Sequence, residues 1–141
     1  MKKIDHIAIA VNSLEESIRV YTSLLGVEPE LETISAEKVN TAIYDLNGVS
    51  LELVEPIGDD SPITKFLEKR GEGLHHVCLE VDNLEETIDE LKEKGIDIID
   101  ETPKSGAGGK KIVFLHPKST GGVLFELNSN LKNKESDEDA D

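Results

Sequence analysis

"IDHIAIAVNSLEESI" at residues 4–18 returns as "LHHVCLEVDNLEETI" at residues 74–88. His6, Val11, Leu14, Glu15, Glu16 and Ile18 recur unchanged as His76, Val81, Leu84, Glu85, Glu86 and Ile88, while Ile7, Ile9 and Ser17 recur as Val77, Leu79 and Thr87. A constant offset of 70 residues means that one supersecondary unit is used twice. That sets the fold before any single residue does.

Each copy begins with alternation. Ile7, Ile9 and Val11 fall on one face of a strand over 3–11, with His6, Ala8 and Ala10 on the other, the pattern of a strand covered by helices on one side. Ser13 then offers an N-cap with Glu16 three residues on, a capping box. Leu14, Ile18, Tyr21 and Leu25 follow at helical spacing, and Gly26 stops the helix. The second copy repeats the steps, with Val77, Leu79 and Val81 against His76, Cys78 and Glu80. Asn83 is its cap, Glu86 its box, Leu84, Ile88 and Leu91 its stripe, and Gly95 its stop.

Strand-like segments follow each helix, at 39–46 and 49–55 in the first half and at 96–99, 111–116 and 123–128 in the second. Between the halves, Ser61 as cap and Pro62 at the first helical position predict a linking helix over 61–70. Its apolar side is Ile63, Phe66 and Leu67. The expected class is α+β, with two βαβββ modules in tandem (about 3–56 and 74–128) forming a curved sheet around a metal site. This makes one domain over 1–128.

Residues 129–141, "SNLKNKESDEDAD", hold five acids, two lysines and one large apolar residue. Such a stretch buries no core and is expected to be a disordered, dispensable tail. Net charge is -15, and -12 without that tail. Nucleic acid, which binds basic surfaces, is therefore excluded as a partner. The chain has no apolar run of membrane-spanning length and no signal-peptide pattern. With a single cysteine, Cys78, the expected compartment is the reducing cytoplasm.

The repeat extends to a second pair of polar residues. "VSLELV" at 49–54 aligns with "VLFELN" at 123–128, which sets Glu52 against Glu126. Alternation turns Val49, Leu51 and Leu53 toward the helices and Glu52 away, and likewise Val123, Phe125 and Leu127 against Glu126. His6 and His76 lie on the same inward faces, so each half supplies one histidine and one glutamate. Two imidazoles and two carboxylates suit one borderline divalent ion such as cobalt, manganese, nickel or zinc. Carboxylates turned into a core are costly unless paired or metal-bound.

On these residues the chain resembles the vicinal oxygen chelate superfamily, which includes glyoxalase I, extradiol dioxygenases and the methylmalonyl-CoA epimerases. Three further stretches resemble the epimerase family: "DSPITKFLEKRGEGLHHV" at 60–77, "GAGGKKIVFLHPKSTGGVLFEL" at 106–127 and "ELVEP" at 52–56. The resemblance covers residues 3–128. It implies His6, Glu52, His76 and Glu126 as ligands of one divalent metal, an acyl-CoA thioester as substrate and a homodimer. It also implies Glu126 as a catalytic base.

Some relatives carry glutamine in place of Glu52 and a catalytic glutamate on the preceding strand, where this chain has Thr41. Glu52 is therefore the expected second base as well as a ligand, with Glu37 or water next in order. The chemistry stands without the name. An α-proton beside a thioester is weakly acidic, a divalent ion at the carbonyl oxygen stabilises the negative charge left behind, and a nearby carboxylate can take the proton.

The glycine-rich "GAGGKK" lacks P-loop spacing and reads as a substrate loop, with Gly108, Lys110, Lys111, His116 and Lys118 as binding candidates. His75 points away from His76 and reads as structural, and Cys78 as a packing residue. The alternatives are glyoxalase I, acting on a glutathione hemithioacetal, and a non-catalytic metal- or small-molecule-binding protein of the same fold.

Overall fold

The computed structural model describes residues 2–100 and 102–129. These form two compact units, one spanning His6–His75 and one joining residues 2–5 to those from His76 onward. Each carries the same plan.

In the first unit, β1 (Lys3–Ala10) leads into α1 (Leu14–Leu25), followed by β2 (Glu30–Ile34), β3 (Val39–Leu46) and β4 (Val49–Pro56). From His6 on, β1 pairs in parallel with β4, and β4, β3 and β2 pair antiparallel in turn, giving the order β2-β3-β4-β1. The Ser13 hydroxyl accepts the Glu16 N–H at 3.3 Å and starts α1. Gly26, at φ 73°, ends the helix by donating its N–H to Thr22, in a left-handed conformation that costs glycine little. α1 lays Leu14, Ile18, Tyr21 and Leu25 over a core of Val11, Ala42, Tyr44 and Leu53. The buried Tyr44 hydroxyl is satisfied by Thr22 at 2.9 Å and by the Ile18 carbonyl at 3.2 Å. α2 (Pro62–Arg70) follows, capped by Ser61, with Ile63 buried.

The second unit takes up β5 (Gly73–Val81) from His76 on, followed by α3 (Leu84–Glu93), β6 (Lys104–Ser105), β7 (Lys111–Phe114) and β8 (Phe125–Ser129). The order β6-β7-β8-β5 repeats the first, with β5 and β8 parallel. The Asn83 side chain accepts the Glu86 N–H at 3.0 Å, and the left-handed Gly95 follows the helix end. Leu84 and Ile88 of α3 pack with Val81, Val113, Leu115 and Leu127. Leu127→Ala, at a fully buried centre, should cost about 2–5 kcal/mol, read as a lowered urea midpoint.

The structure departs from the sequence reading in several places, the two-residue β6 among them. β2 was not foreseen, because "ELETI" leaves Leu31 exposed and shows no apolar alternation. The 96–99 segment is not a strand, and only Ile98 bridges to Leu115. Val123 is exposed rather than turned to α3, because the positive-φ pair Gly121 and Gly122 delays the start of β8 to Phe125. At its other end β8 runs through Ser129, which pairs with Lys111 and Val81. The tail expected from 129 otherwise lies outside the described residues. No described helix is long and apolar enough to cross a membrane.

Candidate metal centre

The strand registers put a histidine and a glutamate side by side in each unit. In the first, Ala8 stands opposite Glu52 across the parallel β1–β4 pair. His6 lies two residues before Ala8 and so shares its face. In the second, Cys78 stands opposite Glu126 across β5–β8, and His76 lies two residues before Cys78. The residue opposite each glutamate is small and fully buried, which lets the imidazole reach across to the carboxylate.

His6 Nδ1 lies 3.2 Å from a Glu52 oxygen, and His76 Nε2 lies 3.0 Å from a Glu126 oxygen. All four residues are buried, at 4%, 6%, 9% and 5% exposure for His6, Glu52, His76 and Glu126. The nitrogen and oxygen donors of both pairs suit a borderline divalent ion. Ala8→Leu would fill the space His6 crosses. It should cost about 1–3 kcal/mol and break the His6–Glu52 pair, an effect that histidine ring NMR would show as a changed His6 environment.

The other candidates divide. Thr41 shares the Glu52 face of the sheet through its register opposite Val54, but its buried hydroxyl donates to the Glu32 carbonyl at 2.8 Å. A hydroxyl so engaged is no carboxylate substitute. Glu37 sits in a 3₁₀ turn, Ser35–Glu37, outside the paired strands. Just beyond it, the hydrogen bond and charge of Lys38 hold the Asp60 carboxyl below its usual range.

His75 packs edge-on against Phe66 at 4.9 Å, one residue out of phase with His76. His116 is a turn former, its Nδ1 accepting the Lys118 N–H at 3.2 Å. The Lys118 ammonium pairs with Asp97 at 3.2 Å and that of Lys110 with Asp5 at 3.2 Å. Gly108 takes a left-handed conformation in the 107–109 turn, and Lys111 is exposed on β7.

Sequence reasoning missed the surroundings of His76. Phe114 meets its ring edge-on at 5.7 Å, and Lys104 lies 5.1 Å over the Phe114 ring. The residue opposite Glu52 on β3 is Ile43, whereas the one opposite Glu126 on β7 is Phe114.

Comparison with known proteins places the chain in a family. Residues 5–114 match the family model described as Glyoxalase/Bleomycin resistance protein/Dioxygenase superfamily. The mitochondrial methylmalonyl-CoA epimerase of Dictyostelium discoideum is 44% identical over 127 residues, covering 89% of this chain and 76% of that protein. The ethylmalonyl-CoA/methylmalonyl-CoA epimerase of Cereibacter sphaeroides is 40% identical over 128 residues, covering 89% of this chain and 96% of the relative. Among solved structures, a variant of Streptomyces coelicolor methylmalonyl-CoA epimerase in complex with 2-nitronate-propionyl-CoA superposes with a TM-score of 0.84 at 33% identity, over 91% of this chain and 96% of that one. A methylmalonyl-CoA epimerase in complex with methylmalonyl-CoA and NH4+ gives 0.85 at 32% identity, over 92% and 95%. The α+β architecture read from the repeat is the one these proteins share. The chain belongs to the glyoxalase/bleomycin resistance protein/dioxygenase superfamily, with the vicinal oxygen chelate fold, and within it to the methylmalonyl-CoA epimerases.

Proposed function

We propose that this chain interconverts the R and S epimers of methylmalonyl-CoA by moving the proton on the carbon between thioester and carboxylate. The observation that carries the reading is the duplicated buried pair. The same histidine and glutamate stand at the same strand register in both halves of a chain whose relatives bear that activity in their names.

His6, Glu52, His76 and Glu126 would together hold one divalent ion of cobalt, manganese, nickel or zinc. Bound there, the ion supplies a Lewis acid for the thioester oxygen, where negative charge develops. The chain's own groups move the proton. Glu126 removes it from one face of the α-carbon, and Glu52 returns one to the other face of the planar enolate. Thr41 takes no part, since its hydroxyl is committed to a backbone carbonyl.

Substrate contacts belong to the same proposal. In a chain of net charge -15, an anionic acyl-CoA needs local cations. Lys110 and Lys111, beside the 107–109 turn that holds Gly108, and His116 and Lys118, at the Pro117–Thr120 turn, are the groups proposed to meet it. A cytoplasmic homodimer is proposed from the family resemblance and the lone cysteine.

The test is a direct comparison of substrates with the metal-loaded protein. The expected result is conversion of (S)- to (R)-methylmalonyl-CoA and no turnover of the methylglyoxal–glutathione hemithioacetal. Turnover of the hemithioacetal alone would make the chain a glyoxalase I. Tight ligand binding with neither reaction would make it a binding protein.

A further inference from the structure

The two halves differ in the residue that stands opposite each glutamate. His6 faces Glu52 with Nδ1 at 3.2 Å, whereas His76 faces Glu126 with Nε2 at 3.0 Å. Opposite Glu52 on the neighbouring strand is Ile43; opposite Glu126 is Phe114. The Phe114 ring meets the His76 imidazole edge-on, with centroids 5.7 Å apart and planes at 87°. An aromatic ring prefers this arrangement through its quadrupole. The isoleucine at the equivalent place has no quadrupole and imposes no ring orientation.

Phe114 is itself held. Its N–H donates to Asp100 Oδ2 at 2.8 Å. The Lys104 ammonium lies 5.1 Å over its ring and 3.5 Å from Asp100 Oδ1. Lys104 thus bridges the ring face by a cation–π contact and the carboxylate that anchors the ring's backbone. The mechanism above uses none of Asp100, Lys104 and Phe114.

We propose that Phe114, braced by Lys104 and Asp100, is a positioning residue that fixes the His76 ring with Nε2 turned to Glu126. The inference rests on the proposed metal-binding reading. Neighbours that orient a ligating histidine change metal affinity by about 10–100-fold when they are removed.

The experiment is chelator competition for Co(II), with the visible absorption of the bound ion recorded alongside, on the full chain and on Phe114→Leu, Phe114→Tyr and Lys104→Met. Circular dichroism of each metal-free protein establishes that it is folded. Phe114→Leu should bind Co(II) about 10–100-fold more weakly with altered absorption. Phe114→Tyr, which keeps the ring, should restore both, and Lys104→Met should give a smaller loss. A purely structural role for Phe114 would lower thermal stability and leave affinity and absorption alone. Folded Phe114→Leu with wild-type affinity and spectrum overturns the inference. Should that variant not fold, unchanged affinity in Lys104→Met overturns the brace. If wild-type protein takes up no Co(II), the metal reading itself fails and this inference falls with it.

Discussion

Glu126→Gln is expected to abolish epimerisation while sparing exchange of one epimer. An enzyme with one base returns the proton to the face it left, so inversion requires two groups. If Glu126 serves one face and Glu52 the other, each glutamine variant should still exchange the α-proton of a single epimer with solvent deuterium, and the two should differ in which epimer that is. Loss of an acid–base group costs about 10²–10⁴-fold, well above assay error. Both variants should retain metal, since an amide oxygen still coordinates, and so metal content and epimerisation should separate. Glu52→Gln that epimerises at nearly the wild-type rate would exclude Glu52 as second base. Glu37, in its 3₁₀ turn, would then be the residue to replace next.

The second large effect concerns metal content. His76→Ala and His6→Ala should each lose most bound metal, because each removes one of two nitrogen donors and leaves a buried carboxylate without its partner. His75→Ala should keep its metal, since His75 lies on the opposite face of β5 against Phe66. Elemental analysis of the purified variants decides it. Metal lost from His75→Ala but kept in His76→Ala would mean that the strand phase assigned to β5 is wrong.

How much of this was legible in the sequence follows from where the repeat holds. Strand phase in β1, β4 and β5 came from alternation, and the caps Ser13, Ser61 and Asn83 from their spacing to the helices. These signals are local, and the structure keeps them. The pairing of His6 with Glu52 and of His76 with Glu126 is not local, spanning 46 and 50 residues. It was legible only because the chain states it twice. Legibility fails where the halves diverge or where no packing pattern exists. β2 carries an exposed Leu31, and β6 is two residues long. Ile96 and Ile98 pack on the second core from a segment that pairs through a single bridge. Their apolar character reports burial and not strand structure. Phe114 was read only as part of a strand and a family-like stretch. Its contact with His76 depends on the β7–β8 register, which the sequence does not specify.

The most direct test of the account follows the C2 proton of methylmalonyl-CoA by proton NMR in D2O, with protein loaded with a divalent metal. The account predicts that the C2 signal disappears and the methyl doublet collapses at a catalytic rate for either starting epimer, and that removal of the metal stops both. Retention of the C2 proton in the presence of fully metal-loaded, folded protein would contradict it.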